Sequence, residues 1–348
     1  MGDALAGLIP AFAPFDRIAL DTEADSLHCY FEKLCLIQVS IPGADWLIDP
    51  LANLSLMPLF DALKSKQVIF HGADYDLRLL RRVGFTECAG VFDTMIAARL
   101  SGVPEFSLAA LLKRHFALEI PKASQKANWA RRPLPATMLD YAVNDTRHLH
   151  RLAEIYEAEL RQLGRWDWFV QSCERAVRVT ETVKDRDDRE AWRISGAGAL
   201  RGHASAILRE LWLWRDGEAR AVDRPSFHIL HNSQLIEATH QIAAGKTAEF
   251  AHLRGGRLDR YRAAVQRAVH LPESDWPKIV RTHRARPTRE EEERFRQLKE
   301  KRDAVAAELK LDPSLIAPKA SLEALASESP AEAEERMMPW QVALLDLR

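Results

Sequence analysis

The sequence predicts an α/β domain built on a mixed sheet with flanking helices, followed by two all-helical domains. Residues 17–50 contain three strand-like segments, and residues 55–163 then alternate short strands with helices. Beyond about residue 195 the strand patterns stop, and apolar residues recur at helical spacing. A chain of 348 residues is also too long for one hydrophobic core. The predicted domains span residues 1–190, 195–277 and 290–348.

The composition is that of an ordinary globular protein, with 47% hydrophobic and 28% charged residues. A net charge of −1 does not by itself indicate a polyanionic partner, although carboxylates in a site can offset basic surfaces elsewhere. The four cysteines form no CxxC pair, which favours reduced thiols over disulfides or a zinc site. The chain has neither a signal-peptide pattern nor an apolar run close to the roughly 18 residues of a membrane span. We therefore expect a cytoplasmic protein with no membrane association.

Three strands open the predicted sheet. They are Arg17–Asp21, Leu34–Ile41 and Asp45–Pro50. The second is almost continuous in apolar residues, as expected for a buried central strand. Pro42-Gly43 marks the hairpin turn that leads into the third strand.

The rest of the α/β domain alternates strands with helices. Short strands are predicted at Lys66–His71 and Val91–Thr94, and a polar loop at Pro121–Pro135. Helices are predicted over residues 55–65, 76–83, 95–101, 106–118 and 139–163.

The C-terminal part is predicted to be helical. Residues 199–218 place Trp212 and Trp214 at helical spacing in a core, and a basic, proline-flanked linker follows at 278–289. The acidic run Arg289–Arg294 then fits the start of a helix, where it complements the helix dipole.

The first strand ends in two carboxylates, Asp21 and Glu23, which the period-two alternation of a strand places on one face. Two buried like charges repel unless a proton or a cation compensates them. Ligands that are all oxygen favour a hard cation such as Mg²⁺ or Mn²⁺. An isolated Asp-x-Glu is more often a polar turn, so a metal site requires further carboxylates that converge on this pair.

Later carboxylates are placed where they could converge. Asp76, beside the competing Asp74, opens a helix directly after a strand, at the edge of the sheet where ligands usually bind. Tyr141 and Asp145 are one helical turn apart and share a face. Two-metal phosphoryl transfer needs carboxylates from separate elements that hold ions about 3.5–4 Å apart. A nearby tyrosine hydroxyl can orient the attacking water without ionising.

These residues resemble the three exonuclease motifs of the DEDD superfamily. The motifs are Asp21-x-Glu23, His71-Gly-Ala-x-x-Asp76-Leu and Tyr141-x-x-x-Asp145. The tyrosine sub-type fits, because the histidine sub-type would carry histidine where this chain has Asp140. Further segments resemble the ribonuclease D family, namely Leu34–Gln38, Leu47–Pro50, Phe92–Thr94 and Trp129–Leu134. Where that family usually has Ser-Asp before the tryptophan this chain has Ala127-Asn128, which bears on substrate preference.

The resemblance extends to the helical part and implies roles for the site residues. Residues 199–272 resemble the HRDC domain (helicase and RNase D, C-terminal), and residues 290–348 resemble a diverged second copy. The implied fold is a ribonuclease H-like exonuclease domain with two HRDC-type domains. The match favours Asp76 over Asp74, which is left as a helix N-cap candidate. By resemblance, Tyr141 positions the attacking water and two divalent metal ions (Mg²⁺ or Mn²⁺) are bound by Asp21, Glu23, Asp76 and Asp145.

Several residues are candidates for contact with RNA. They are His71, Lys122, Gln125, Trp129 and Arg132. His71 could instead make a local hydrogen bond, and Trp129 could stack on a base or pack in the core. Arg131 and Arg132 could bind phosphate, or one of them could pair with a carboxylate. The arginines of residues 254–262 form a basic cluster that could contact nucleic acid or only solvent.

The resemblance implies a metal-dependent 3′→5′ exoribonuclease that releases nucleoside 5′-monophosphates from single-stranded 3′ ends. The implied substrates are transfer-RNA precursors and other small structured RNAs, and no obligate protein partner is evident. A DNA-directed proofreading or repair exonuclease is one alternative, because no sequence position reveals a contact to the ribose 2′-OH. A non-catalytic RNA-binding scaffold is another.

Overall fold

The structure is a computed structural model that describes residue 5 and residues 7–120, 126–181, 190–278, 287–327 and 336–347. The chain divides into two compact units. The first comprises residues 1–24, 34–183 and 284–348, and the second comprises residues 25–33 and 184–283. Among the described residues, no helix is both long and apolar enough to cross a membrane.

The first unit contains a five-stranded mixed sheet, as the sequence predicts. Its strands are β1 (Arg17–Ala24), β2 (Leu34–Ile41), β3 (Ala44–Ile48), β4 (Gln67–Phe70) and β5 (Gly90–Asp93). The order across the sheet is β3-β2-β1-β4-β5. The pairs β3–β2 and β2–β1 are antiparallel, and the pairs β1–β4 and β4–β5 are parallel. The first strand continues to Ala24, so Asp21 and Glu23 lie within it and not in a turn after it.

Helices cover both faces of the sheet. They are α1 (Met57–Leu63), α2 (Asp74–Arg82), α3 (Thr94–Leu100), α4 (Leu108–Phe116), α5 (Ala136–Arg147), α6 (Leu149–Gln162) and α7 (Trp166–Glu181). Ile18 and Leu20 on one face of β1 join a core with α1 and α2, whereas Ala19 on the opposite face joins a core with α3, α6 and α7. Asp21 and Glu23 therefore point to the same face as Ala19.

The long helix predicted over residues 139–163 is two helices that meet at His148. Helix α5 packs mainly on β2 and β3, while α6 packs on β1, β4 and α3. A sheet is twisted, so one straight helix could not follow all of these elements. The break lets α5 cross the end of the sheet that carries the carboxylates.

The second unit is helical and consists of α8 (His203–Ala221), α9 (Ser226–Ile229), α10 (Asn232–Ala243) and α11 (Gly255–Val269). Its core contains Trp212 and Trp214, as predicted. Two of the arginines in the basic cluster, Arg257 and Arg260, form ion pairs with the buried carboxylate of Glu218. They therefore contribute to the internal packing of this unit.

The final helices are α12 (Arg289–Leu309), α13 (Pro313–Ile316), α14 (Lys319–Ser327) and α15 (Pro339–Leu344). The sequence predicts a separate domain at 290–348, but these helices belong to the first unit. Ile316, Leu322 and Trp340 share a hydrophobic core with Phe169 of α7, and the Trp340 ring stacks on Trp168 with centroids 5.1 Å apart. The apolar faces of these helices are thus buried against the α/β elements. Their likeness to an HRDC domain, and the predicted boundaries at 190, 195 and 277, stay predictions.

Candidate active site

A cavity of about 520 Å³ opens where β1 ends, between α2 and α5. All five residues predicted as catalytic line it. Among the described residues, the lining is Asp21, Thr22, Glu23, His71, Tyr75, Asp76, Met95, Ser107, Leu108, Ala109, Ile120, Tyr141 and Asp145.

Three carboxylates meet at one side of this cavity. Asp21 and Glu23 come from alternate positions of β1, and Asp145 comes from the middle of α5. One carboxylate oxygen from each lies within 4.8 Å of the other two. Tyr141 precedes Asp145 by one turn of α5 and lines the same cavity.

The fourth carboxylate, Asp76, reaches the cavity from the first turn of α2. Its Oδ1 accepts a hydrogen bond of 2.5 Å from the Thr22 hydroxyl, so β1 fixes the orientation of this side chain. Asp74 has a different position: its side chain is 62% exposed and pairs with Arg78 at 3.0 Å. Because Ala73 occupies the N-cap position of α2 without a side-chain cap, the N-cap role expected for Asp74 is wrong. Of the two aspartates, only Asp76 is part of the cavity.

The start of α2 is held in place by Asp93, at the end of β5. The Asp93 carboxylate accepts hydrogen bonds from the backbone N–H groups of Gly72 and Ala73, at 3.0 and 2.8 Å. It also caps α3 by accepting from the N–H groups of Met95 and Ile96. One buried carboxylate thus joins two strand-to-helix connections and sets where Asp76 enters the site.

Burial and nearby negative charges raise the pKa of all four carboxyl groups. Burial is the largest cause in every case. Burial and the charges of Asp76, Asp145 and Glu23 raise the pKa of Asp21 well above its usual value. The pKa of Glu23 rises to about 9, and the pKa values of Asp76 and Asp145 each rise to about 7.

The donor set fits a hard divalent cation. Within the described part of the chain, no Lys, Arg or His nitrogen forms an ion pair with any of the four carboxylates. The repulsion is therefore not relieved by a basic side chain, and protons or a bound cation must compensate it. Carboxylate oxygens from separate elements are the ligands that Mg²⁺ and Mn²⁺ prefer.

His71 forms one wall of the cavity and makes the local hydrogen bond that was one of its two expected roles. Its Nδ1 lies 2.9 Å from the Thr94 hydroxyl, which itself donates to the carbonyl of Phe70. Burial lowers the pKa of the imidazole, which favours its neutral form. A contact between His71 and RNA stays a prediction.

Trp129 and Arg132 have structural roles that correct the expectation of direct RNA contact. The Trp129 side chain is 1% exposed and packs with Leu36 and Ala142, so its ring has no free face for a base. The Arg132 guanidinium forms a bidentate pair with Asp49, with both N···O distances at 2.6 Å.

The remaining Arg132 donors bind the backbone carbonyls of residues 35, 129 and 131. All five N–H bonds of the guanidinium are thereby used within the protein, which leaves none for a phosphate. Lys122 and Gln125 lie outside the described residues.

Sequence reasoning missed the apolar and aromatic half of the cavity. Tyr75 lines it with 45% of the residue exposed, and Met95, Ser107, Leu108, Ala109 and Ile120 complete the wall. Tyr75 stands directly before the motif aspartate Asp76, and that adjacency was the available signal. Ser107 caps α4 by accepting from the N–H of Ala110, and its place in the cavity depends on a connection that no local pattern predicts.

Comparisons with known proteins show the family and the fold that this chain shares. The model of a 3′-5′ exonuclease family matches residues 2–161, and the model of the HRDC domain matches residues 204–244. Ribonuclease D from Jannaschia sp. is 30% identical over 80% of this chain and 75% of its own length. Ribonuclease D from Pseudomonas paraeruginosa is 30% identical over 76% of this chain and 72% of its own length. Among solved structures, Escherichia coli RNase D is similar in fold, with a TM-score of 0.73. It is 24% identical, and the match covers 99% of this chain and 96% of that chain. That protein is described as an exoribonuclease involved in structured RNA processing.

Proposed function

The chain belongs to the ribonuclease D family and is a 3′→5′ exoribonuclease, and we propose that it trims the 3′ ends of transfer-RNA precursors and other small structured RNAs. The relatives' name and the structured RNA substrates of the Escherichia coli protein support this choice of substrate. The observation that carries the site assignment is the convergence of three carboxylates within 4.8 Å in the cavity that also holds Asp76 and Tyr141.

The 3′-5′ exonuclease family implies the use of divalent metal, and in this chain Asp21, Glu23, Asp76 and Asp145 would hold two such ions, Mg²⁺ or Mn²⁺. When bound, such ions lower the pKa of a water and stabilise negative charge on the leaving oxygen. In such a site Asp21 would serve both ions, and Glu23 would serve only the ion on the side of the attacking water. Support comes from the register of β1, which puts both side chains on one face next to Asp145.

Tyr141 would orient the attacking water. Its place one helical turn before Asp145 puts a hydroxyl group in the same cavity, and a phenol stays protonated near neutral pH because its usual pKa is about 10. The hydroxyl can therefore hold the water by a hydrogen bond while the water attacks phosphorus. The bond between phosphorus and the 3′ oxygen breaks, which leaves a shortened RNA with a 3′-hydroxyl and a nucleoside 5′-monophosphate.

The other wall of the cavity would hold the terminal nucleotide. Its volume of about 520 Å³ lies within the range of roughly 300–1,000 Å³ that small-molecule sites occupy. Tyr75 is an exposed residue of this wall, and its ring can stack on the last base. Such a contact tolerates any base, because every base has a π-face. Stacking of this kind fits an enzyme that removes nucleotides one after another regardless of sequence.

Digestion of a 3′-extended transfer RNA tests the proposal. The purified protein should shorten it stepwise to the mature 3′ end and release nucleoside 5′-monophosphates in Mg²⁺ or Mn²⁺, and excess chelator should stop the reaction. A matched DNA oligonucleotide and an unstructured RNA should be poorer substrates. If unstructured RNA is degraded at least as fast as the extended transfer RNA, the proposed substrate class is wrong. If Asp21→Asn keeps full activity, the site assignment is wrong.

A further inference from the structure

We propose that Gln38 is a positioning residue of the active site: its side-chain amide donates a hydrogen bond to the Asp21 carboxylate when a divalent ion is bound. This inference rests on the proposed role of Asp21 as a metal ligand. Gln38 lies on β2, outside the cavity lining, and it is the polar residue in an otherwise largely apolar stretch that resembles the family pattern at Leu34–Gln38.

The strand register places Gln38 beside Asp21. The two residues are direct partners in the antiparallel pair β1–β2, so their side chains leave the sheet on the same face. Side chains of directly opposite residues have their Cβ atoms about 4.5–5.5 Å apart, within reach of a hydrogen bond between an amide and a carboxylate after a small rotation. On its other side Gln38 is paired with Leu47 of β3, which offers no polar side-chain atom.

The Gln38 side chain is buried without a partner. It is 0% exposed, and in the part of the chain that the structure describes neither its Nε2 nor its Oε1 forms a hydrogen bond. A buried amide left in this state costs about 1–3 kcal/mol, and an apolar side chain of the same shape would avoid that cost. Packing therefore does not account for glutamine at this position.

Ser40 provides an internal comparison. It lies two residues further along the same face of β2, and it is also fully buried. Its hydroxyl has two partners at 2.7 Å, the Asp45 carboxylate and the Thr146 hydroxyl. Ser40 is thus hydrogen-bonded to side chains of neighbouring elements, as expected for a buried polar residue with a structural role. Gln38, on the same face, has no such bonds.

The chemistry of an amide suits a position next to a metal ligand. Asp21, which lies directly opposite Gln38, forms a cluster with Glu23 and Asp145, and all three carboxylates are acceptors when ionised. An amide N–H group can donate to one of them without adding charge, whereas a lysine would compete with the cation. Partners of this kind fix the rotamer of a ligand, and their loss typically costs about 10- to 100-fold in metal affinity.

Calorimetric titration with Mn²⁺ and thermal unfolding with and without Mn²⁺ test the proposal on the full chain. In Gln38→Met, which keeps the length of the side chain but removes the amide, we expect about 10-fold weaker Mn²⁺ binding. The unfolding temperature without metal should stay the same or rise, because an unsatisfied polar group is gone.

The control variant Ser40→Ala should behave in the opposite way, with a lower unfolding temperature and unchanged Mn²⁺ affinity. Wild-type Mn²⁺ affinity in Gln38→Met would overturn the proposal, as would a fall in the unfolding temperature of the metal-free variant. Asp21→Asn separates the two levels of inference. If Gln38→Met and Asp21→Asn both bind Mn²⁺ as tightly as the wild type, the metal site itself is misassigned. If Asp21→Asn loses Mn²⁺ binding and Gln38→Met does not, only the role of Gln38 is wrong.

Discussion

Replacing Asp145 by asparagine should stabilise the metal-free protein while abolishing its activity. The Asp145 pKa is raised from its usual 3.8 to about 7, first by burial and then by the charge of Asp76. A carboxyl group whose pKa is raised in the folded chain keeps its proton there up to a higher pH than in the unfolded chain. The free energy of unfolding therefore falls progressively as the pH rises from the unfolded-state pKa to the folded-state pKa. With a folded-state pKa of about 7, ionisation of Asp145 lowers the free energy of unfolding by about 4 kcal/mol near pH 8, but only by about 1 kcal/mol near pH 4.5.

Asparagine has the shape of aspartate and cannot ionise. Part of the cost remains, because a buried amide is also desolvated and because the neighbouring carboxylates share protons with Asp145. We expect Asp145→Asn to gain about 1–3 kcal/mol near pH 8 in chelator, or about 2–4 °C in Tm for each kcal/mol. The gain should be much smaller near pH 4.5, where the wild-type carboxyl is already protonated.

Thermal unfolding of both proteins at the two pH values, with and without Mn²⁺, measures this effect. Mn²⁺ should raise the Tm of the wild type and have far less effect on the variant, because binding to the folded state stabilises it by mass action. The reasoning is refuted if Asp145→Asn melts below the wild type near pH 8 in chelator, or if it gains the same stability at both pH values.

Three further substitutions probe the rest of the site. Tyr141→Phe should lower kcat about 100-fold at unchanged Mn²⁺ affinity, because the water loses its orienting hydroxyl. Steady-state kinetics and Mn²⁺ titration check this, and a joint fall of kcat and Mn²⁺ affinity would contradict the role of Tyr141. Tyr75→Ala should raise KM for RNA by about 10-fold, in line with the roughly 1–3 kcal/mol of a base stack, and Tyr75→Trp should have the wild-type KM. An unchanged KM in Tyr75→Ala would show that Tyr75 does not contact the substrate. Arg132→Ala should lower the free energy of unfolding by about 1–3 kcal/mol without changing the salt dependence of RNA binding, because its donors bind Asp49 and backbone carbonyls; a shallower salt dependence would indicate a phosphate contact.

Residues whose place follows from a local period were predicted well from the sequence. The alternation of β1 sets the common face of Asp21 and Glu23, and the helical spacing in α5 puts Tyr141 beside Asp145. The mixed sheet was likewise predicted, because its strands are short segments with clear turn signals between them.

Features that depend on contacts distant in sequence were predicted less well. Trp129 and Arg132 have the right residue types for stacking and phosphate binding, but burial against Leu36 and pairing with Asp49 decide their roles. The final helices appeared separate because the chain reaches them through a linker, whereas their apolar residues complete the core around Phe169. In the sequence Asp93 is only part of a family pattern, whereas its hydrogen bonds in the structure support the starts of two helices.

The central claim is that the carboxylates in the cavity, and not acidic residues in general, support hydrolysis. Asp76 and Asp74 provide the most direct comparison, because they lie two residues apart in the same helical turn, one buried in the cavity and the other exposed and paired with Arg78. Digestion of a 5′-labelled RNA in Mn²⁺ should proceed at the wild-type rate in Asp74→Asn, and should be lost in Asp76→Asn although that variant remains folded. Equal activity of the two variants would contradict the assignment of the site.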